Sequence, residues 1–485
     1  MRHEVPGAES RTLGYKLTIL VVGLALAIFL IIANASQPGD RRIIKIGGMD
    51  AVAYYGTAHS LLFDRDFDLT NQYTMLKPTP NPWMAVQPET GLPSSTWAIG
   101  YSLLELPFVA VGTAIDAFSG RPADGYASGA MTAFFLGNIV FVTIGLLCVF
   151  DLLNRVTAHT LPTLSAGRRH ATNLIVTLAL LPATTLGYYT FSPMAHAAGF
   201  MSVALFAQAW LRARDTEKLG QWAAVGFFGG LMTLCRWQNL LVLLAPLIAD
   251  ALAWSPENWR GSAMRSWLKR RFLFVAVALV CLVPQLVQWK VIFGRYLLIP
   301  QGNDFVQFPP RFIAFVLLST KHGWLIWTPA CALCLAGLLW GCVEKRRLFL
   351  PWTVVLGMEI AVMGSISSSW HGFGTRMLTC TLPIAAMGLS YLLLRAAPIW
   401  RGVLWGALAA ASVYTVVFAL QYRLDLVPRD DYLTFSELIT DRIALRRVYQ
   451  RHRLVNRCQE GSAEARPPEA VARLRLQGLL DKRLW

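Results

Sequence analysis

The stretch Gly47-Gly48-Met49-Asp50-Ala51-Val52-Ala53-Tyr54-Tyr55, continued by His59-Ser60-Leu61-Leu62-Phe63-Asp64-Arg65-Asp66-Phe67-Asp68-Leu69-Thr70-Asn71-Gln72-Tyr73, lies just beyond an apolar run from Leu17 to Ala35. That run is long enough to cross a bilayer core of about 30 Å. It has no small-residue cleavage site in register, so it reads as a retained first helix. The acidic stretch then stands at the outer end of a membrane helix, where a carboxylate meets lipid-borne and aqueous molecules alike.

The rest of the chain extends this pattern. Of 485 residues, 55% are hydrophobic and 15% charged, and the mean hydropathy of +0.46 is too high for a water-soluble globular surface. Apolar runs begin near Leu17, Ala127, Ala171, Ala195, Gln221, Trp237, Phe272, Gly323, Leu348, Met377 and Gly402, which predicts about eleven transmembrane helices in an all-α polytopic membrane protein. With the N-terminus inside, carrying Arg2, Arg11 and Lys16, the connections Arg155 to His170, Arg212 to Lys218, Arg260 to Arg271, Lys345 to Arg347 and Arg395 to Arg401 all fall on the cytoplasmic side. Each is basic, as the positive-inside bias requires. The formal charge of +16 follows from this topology, and nucleic acid is not needed to explain it.

The first outward connection, residues 36–126, is the largest and carries nine acidic against six basic residues. An acidic, folded external loop is the consequence. Within it Trp97 to Phe118 is apolar, yet Gly100, Ser102, Glu105, Pro107, Gly112 and Asp116 interrupt it. A span there would carry the basic Arg168/Arg169 connection outside, so it reads as an interfacial helix. The sequence divides into a transmembrane domain over residues 1–421 and a polar tail over 422–485, placed outside by the odd number of spans. The eight cysteines are scattered, mostly in apolar runs, and form no disulfide framework. Cys331 and Cys334 have CxxC spacing without a second pair of metal ligands. There is no P-loop and no HExxH.

Chemistry concentrates in the first loop. Asp50 is placed to take a proton from an attacking hydroxyl, or it only caps the helix that follows. Asp64, Asp66 and Asp68 alternate as in a calcium loop, but Leu69 replaces the required glycine and Met75 the final glutamate. They fit a solvated turn better than a metal site. Near the outer face stand the cations Arg376, Lys321, Arg295 and Arg236, with His322. Arg376 follows Gly372 and Gly374, and its planar fork suits phosphate oxygens, although a helix-end anchor to headgroups is the plainer role. Arg236 marks either a membrane re-entry or a tight external turn. Trp370 and His371 either stack on a sugar or isoprenoid or belong to the interfacial aromatic belt.

The run Gly48, Asp50, Tyr54, Ser60-Leu61-Leu62, Asp64-Arg65-Asp66-Phe67-Asp68, Asn71 and Tyr73 resembles the first external loop of bacterial GT-C membrane glycosyltransferases. That superfamily includes the protein O-mannosyltransferases and the lipid A aminoarabinose transferase. Gly100-Tyr101-Ser102-Leu103-Leu104 with Pro107, Leu234 to Gln238, Lys321-His322-Gly323-Trp324 to Thr328-Pro329, and Gly372-Phe373-Gly374-Thr375-Arg376 extend the resemblance over most of the chain except the tail. It implies a GT-C-type helical bundle in the bacterial inner membrane. It also implies an inverting transfer of sugar from a polyprenyl-phosphate donor to a hydroxyl acceptor, with Asp50 as base. The resemblance further suggests that the cations bind the donor phosphate and that Tyr54, Asp64, Asp66, Asp68, Trp370 and His371 line the substrate loop. Many members carry two adjacent acids; here Asp50 is flanked by Met49 and Ala51, so a divalent cation is compatible with the site and not required. The alternatives are a transporter or flippase, which would show repeated halves and mid-span charges, and an O-antigen ligase or polymerase, whose large loop would lie nearer the C-terminus.

Overall fold

A chain this apolar must satisfy its backbone polar groups within its own segments, and among the described residues the regular elements are helices. The computed structural model describes residues 8–35, 44, 46–76, 82–255, 261–366, 372–424, 426–427 and 432–443. In chain order the helices are α1 (Ala8–Ala35), α2 (Met49–His59), α3 (Thr70–Leu76), α4 (Gly100–Phe118), α5 (Ser128–Thr160), α6 (Ala166–Ala183), α7 (Thr185–Thr190), α8 (His196–Ala213) and α9 (Leu219–Cys235). There follow α10 (Leu244–Leu252), α11 (Gly261–Cys281), α12 (Val283–Phe293), α13 (Ile313–Leu318), α14 (Trp324–Trp327), α15 (Ala330–Glu344), α16 (Arg346–Met363), α17 (Leu382–Arg395), α18 (Pro398–Arg423) and α19 (Phe435–Ile443). Residues 1–416 form one compact unit and 417–485 another; of the second, the end of α18 and α19 account for most of the described residues, and 444–485 lie outside them.

Every expected span start falls on or beside a helical segment. Length and apolarity by themselves support seven crossings among the described residues: Thr12–Ala35, Gly100–Phe118, Ser128–Thr160, Gly261–Phe293, Arg346–Gly364, Arg376–Arg395 and Pro398–Arg423. Leu219–Cys235, Trp237–Leu252 and Ala330–Glu344 are apolar but shorter. Nearly all of α8 and α17 is buried, so these two helices are central to the unit formed by residues 1–416.

Helices α1 and α5 are antiparallel neighbours. Lys16 pairs with Asp151 at 2.8 Å, Tyr15 meets Phe150, and further along α1 Gly23 faces Thr143 with no room for a side chain. The segment between them therefore leaves and returns at one end of the bundle. This corrects the expected placement of α4. The helix does not lie flat: Gly112 packs on Gly129 and Ala130, Glu105 on Gly137, and Tyr101 donates to Asn138 at 2.9 Å, so α4 runs antiparallel along the first part of α5. The polar interruptions that argued for a surface helix, Ser102, Glu105, Gly112 and Asp116, are all buried and form its packing face. Asp116 accepts from the backbone N–H groups of Gly129 and Ala130 at 2.9 and 2.8 Å, capping the start of α5.

Elsewhere, small residues let the backbones approach, as is usual for helices packed in lipid. Helices α15 and α17 approach closely, and a Cβ on Gly388 would stand 2.2 Å from the Cys334 carbonyl oxygen. Gly388→Ala should lower the thermal midpoint of the detergent-solubilised protein by several degrees, because overpacking costs about 1–3 kcal/mol. Gly357→Ala, in open space, should leave it level or raise it. Cysteines placed at Ser165 and Lys218 should be labelled from the same side of the membrane, and one at the exposed Val86 from the other. Labelling of Ser165 and Val86 from one side would contradict the α1/α5 pairing.

Candidate active site

At the end of the bundle away from Lys16, several regular elements stop and irregular backbone takes over. Helix α2 begins after Gly48, whose φ of 78° places it in the left-handed region. Gly48, and not Asp50, is the N-cap, and it makes no side-chain cap. The capping role for Asp50 is thereby set aside. Its carboxylate points across to two donors: Arg376 Nη1 stands 3.0 Å from Oδ2, and Trp97 Nε1 donates to Oδ1 at 3.0 Å. The Asp50 and Arg376 side chains are 15% and 21% exposed, sheltered but still reachable.

Arg376 opens a 3₁₀ turn, Arg376–Thr381, that leads into α17. The preceding loop needs its glycines for conformation and space. Gly372 has φ 112° and Gly374 φ 60°, and a Cβ on Gly372 would meet the Tyr189 hydroxyl at 2.7 Å. Tyr189 donates to the Phe373 carbonyl at 3.2 Å, and Thr375 Oγ1 to those of His322 and Val316 at 2.7 and 3.0 Å. The loop is thus pinned to the Lys321–Gly323 turn.

Arg236 sits in the extended break between α9 and the 3₁₀ turn Trp237–Leu243, which fits the tight-turn alternative. Gly100 at the start of α4 lies against the Leu234 backbone, bringing the Trp97 segment beside this break. Arg236 Nη1 is 3.3 Å from His196 Nδ1 and Nη2 contacts Met377 Sδ. Its Nε is buried with no hydrogen-bond partner, and no carboxylate forms an ion pair with it among the described residues. Tyr54 is buried beneath these groups. Burial pushes its phenol well above the ordinary value, Arg236 and Arg376 pull it down, and Asp50 pushes it up. The hydroxyl stays protonated at neutral pH and can donate.

The other sequence-derived candidates divide. Lys321 is half-buried and its ammonium has no partner among the described residues; His322 is buried against Trp327. Arg295 is 70% exposed and paired with Glu89 at 3.0 Å, apart from the Asp50 group. Asp64 accepts from Asn71 and Gln72, Asp66 from Ser60, and Asp68 from the Thr70 N–H and hydroxyl. Those three carboxylates close the π-helical turn Ser60–Asp64 and start α3. No group of three metal-capable side chains occurs among the described residues. Trp370 and His371 lie outside the described residues. Sequence reasoning missed Trp97 and His196. The first was absorbed into an apolar stretch with no local mark of function. The second had one: a histidine opening an apolar run.

The chain matches no family model, and no curated protein is similar to it in sequence. Solved structures resemble it. ArnT from Cupriavidus metallidurans in the apo state superposes with a TM-score of 0.52 at 13% identity, over 90% of this chain and 74% of that one. The same protein bound to undecaprenyl phosphate gives 0.51 at 13% identity, over 89% and 74%. Archaeal oligosaccharyltransferase AglB from Archaeoglobus fulgidus gives 0.46 at 11%, over 93% and 56%, below the level at which a shared fold is argued. The ArnT likeness establishes the fold alone: this chain has the helical architecture of that protein.

Proposed function

We propose that the chain is an inverting glycosyltransferase that moves a sugar from a polyprenyl-phosphate donor to a hydroxyl acceptor at the periplasmic face of the bacterial inner membrane. The observation that supports this best is Asp50, held between Arg376 and Trp97 beside a second arginine, Arg236, which has no ion pair among the described residues and whose buried Nε has no hydrogen-bond partner. A base for the acceptor and cations for a phosphate stand side by side. That ArnT, of the same fold, has been captured with undecaprenyl phosphate makes a lipid phosphate the natural anion.

In the proposed reaction the acceptor oxygen attacks the anomeric carbon from the face opposite the phosphate. Asp50 takes the hydroxyl proton as the new C–O bond forms. The bond from carbon to phosphate oxygen breaks, and its electron pair leaves on the polyprenyl phosphate. That leaving group needs positive charge and not a proton, which suits arginines in a poorly screened site. The Tyr54 phenol supplies a further donor.

The direct test incubates purified protein with defined polyprenyl-phosphate sugars and follows acceptor-dependent release of polyprenyl phosphate. No release with any donor sinks the proposal. Asp50→Asn should lower turnover about 10²–10⁴-fold with donor KM nearly unchanged. Arg376→Ala should raise donor KM more than Arg376→Lys, since lysine keeps the charge and loses the fork; equal KM in all three would leave Arg376 as a partner of Asp50 alone. Trp97→Phe removes the donor to Oδ1 and should reduce kcat more than KM.

A further inference from the structure

At the opposite end of the bundle lies a cavity of about 690 Å³, where the last turns of α5 and α8 meet the first turn of α16. Its polar wall is Asp151, Arg155, His159, Arg212, Arg214 and Asp215, and its apolar wall includes Val156, Leu211 and Leu348. Both acids are answered locally. Asp151 pairs with Lys16 and accepts from Gln208 at 3.3 Å, and Asp215 pairs with Arg214 at 3.3 Å. Arg155 and Arg212 come from different helices, face one cavity, and have no hydrogen-bond or ion-pair partner among the described residues. Leu348 belongs to α16, whose N-cap Lys345 makes no side-chain cap, so the positive end of that helix adds to the wall.

Two arginines from different helices that line one cavity together with apolar side chains match one ligand chemistry. We propose that this cavity binds a phosphate-bearing anion, with the headgroup of an anionic phospholipid or free phosphate as its source. Guanidinium forks take phosphate oxygens two at a time, and the apolar residues suit the glycerol and first methylenes of a lipid. Helix α8 runs from His196 to Ala213, about 27 Å at 1.5 Å per residue, so this site stands apart from Asp50 and does not rest on the reaction proposed there.

The test uses the purified full chain in detergent, titrated with phosphatidylglycerol or phosphatidylcholine and read by native mass spectrometry, with inorganic phosphate read by thermal shift. Wild type should retain phosphatidylglycerol in preference to phosphatidylcholine. Arg155→Gln with Arg212→Gln should lose on the order of tenfold in that affinity. Lys218→Gln with Lys269→Gln, the same charge change outside the cavity, should lose little, and Arg155→Lys with Arg212→Lys should fall between. The single Arg→Gln variants carry the comparison if the double variant fails to fold. Phosphate that stabilises wild type but not the Arg→Gln variants identifies the free ion as a sufficient ligand; lipid retention without a phosphate effect identifies the phospholipid. No preference for the anionic lipid together with no phosphate effect, or equal losses in the cavity and control pairs, overturns the proposal.

Discussion

The site depends on one ion pair. Asp50 comes from the first loop and Arg376 from the approach to α17, and their 3.0 Å contact joins parts of the chain that neither helix packing nor local sequence would bring together. Taking two charges partly out of water is costly, and a pair of this kind is weak support for stability. Its value lies in specification. The aspartate fixes where the guanidinium lies, the Trp97 indole fixes the other carboxylate oxygen, and Tyr54 fills the space beneath.

Around that pair the scaffold divides its work between regular and irregular backbone. Helices α8 and α17, buried on nearly every side, form a rigid centre. The candidate-site residues lie at or beside the places where helices break: Gly48 before α2, the extended Arg236 after α9 and the left-handed Gly372 and Gly374. Non-helical backbone at membrane depth is tolerated where protein surrounds it. Here the Tyr189, Thr375 and Gln285 side chains bond to that backbone or its carbonyl partners.

Much of this was legible in the sequence, for identifiable reasons. Apolar run length gave the helices, and lysine and arginine asymmetry gave a connection pattern that agrees with the antiparallel pairing of α1 and α5. Asp50 and Arg376 stood out because charges beside apolar runs are scarce. What stayed hidden was partnership. A hydropathy pattern tells that α4 is apolar with polar interruptions, but not that Ser102, Glu105 and Asp116 turn towards α5. Arg295 and Arg236 look alike as basic residues near an outer face; only the fold pairs the first with Glu89 and gives the second no ion pair among the described residues. Trp97 is one of 17 tryptophans, and nothing local separates the one that touches the carboxylate.

The length of α5 has a consequence for how the molecule meets its bilayer. Its 33 residues extend about 50 Å at 1.5 Å per residue, well beyond a hydrocarbon core of about 30 Å. Tilt absorbs part of the excess, and the rest must stand proud of the lipid tails. Asp116 caps one end of this helix, and Arg155 and His159 mark the other. Both ends of the helix thus carry polar side chains, so its excess length falls where charge is tolerated and tilt is the means by which mismatch is met.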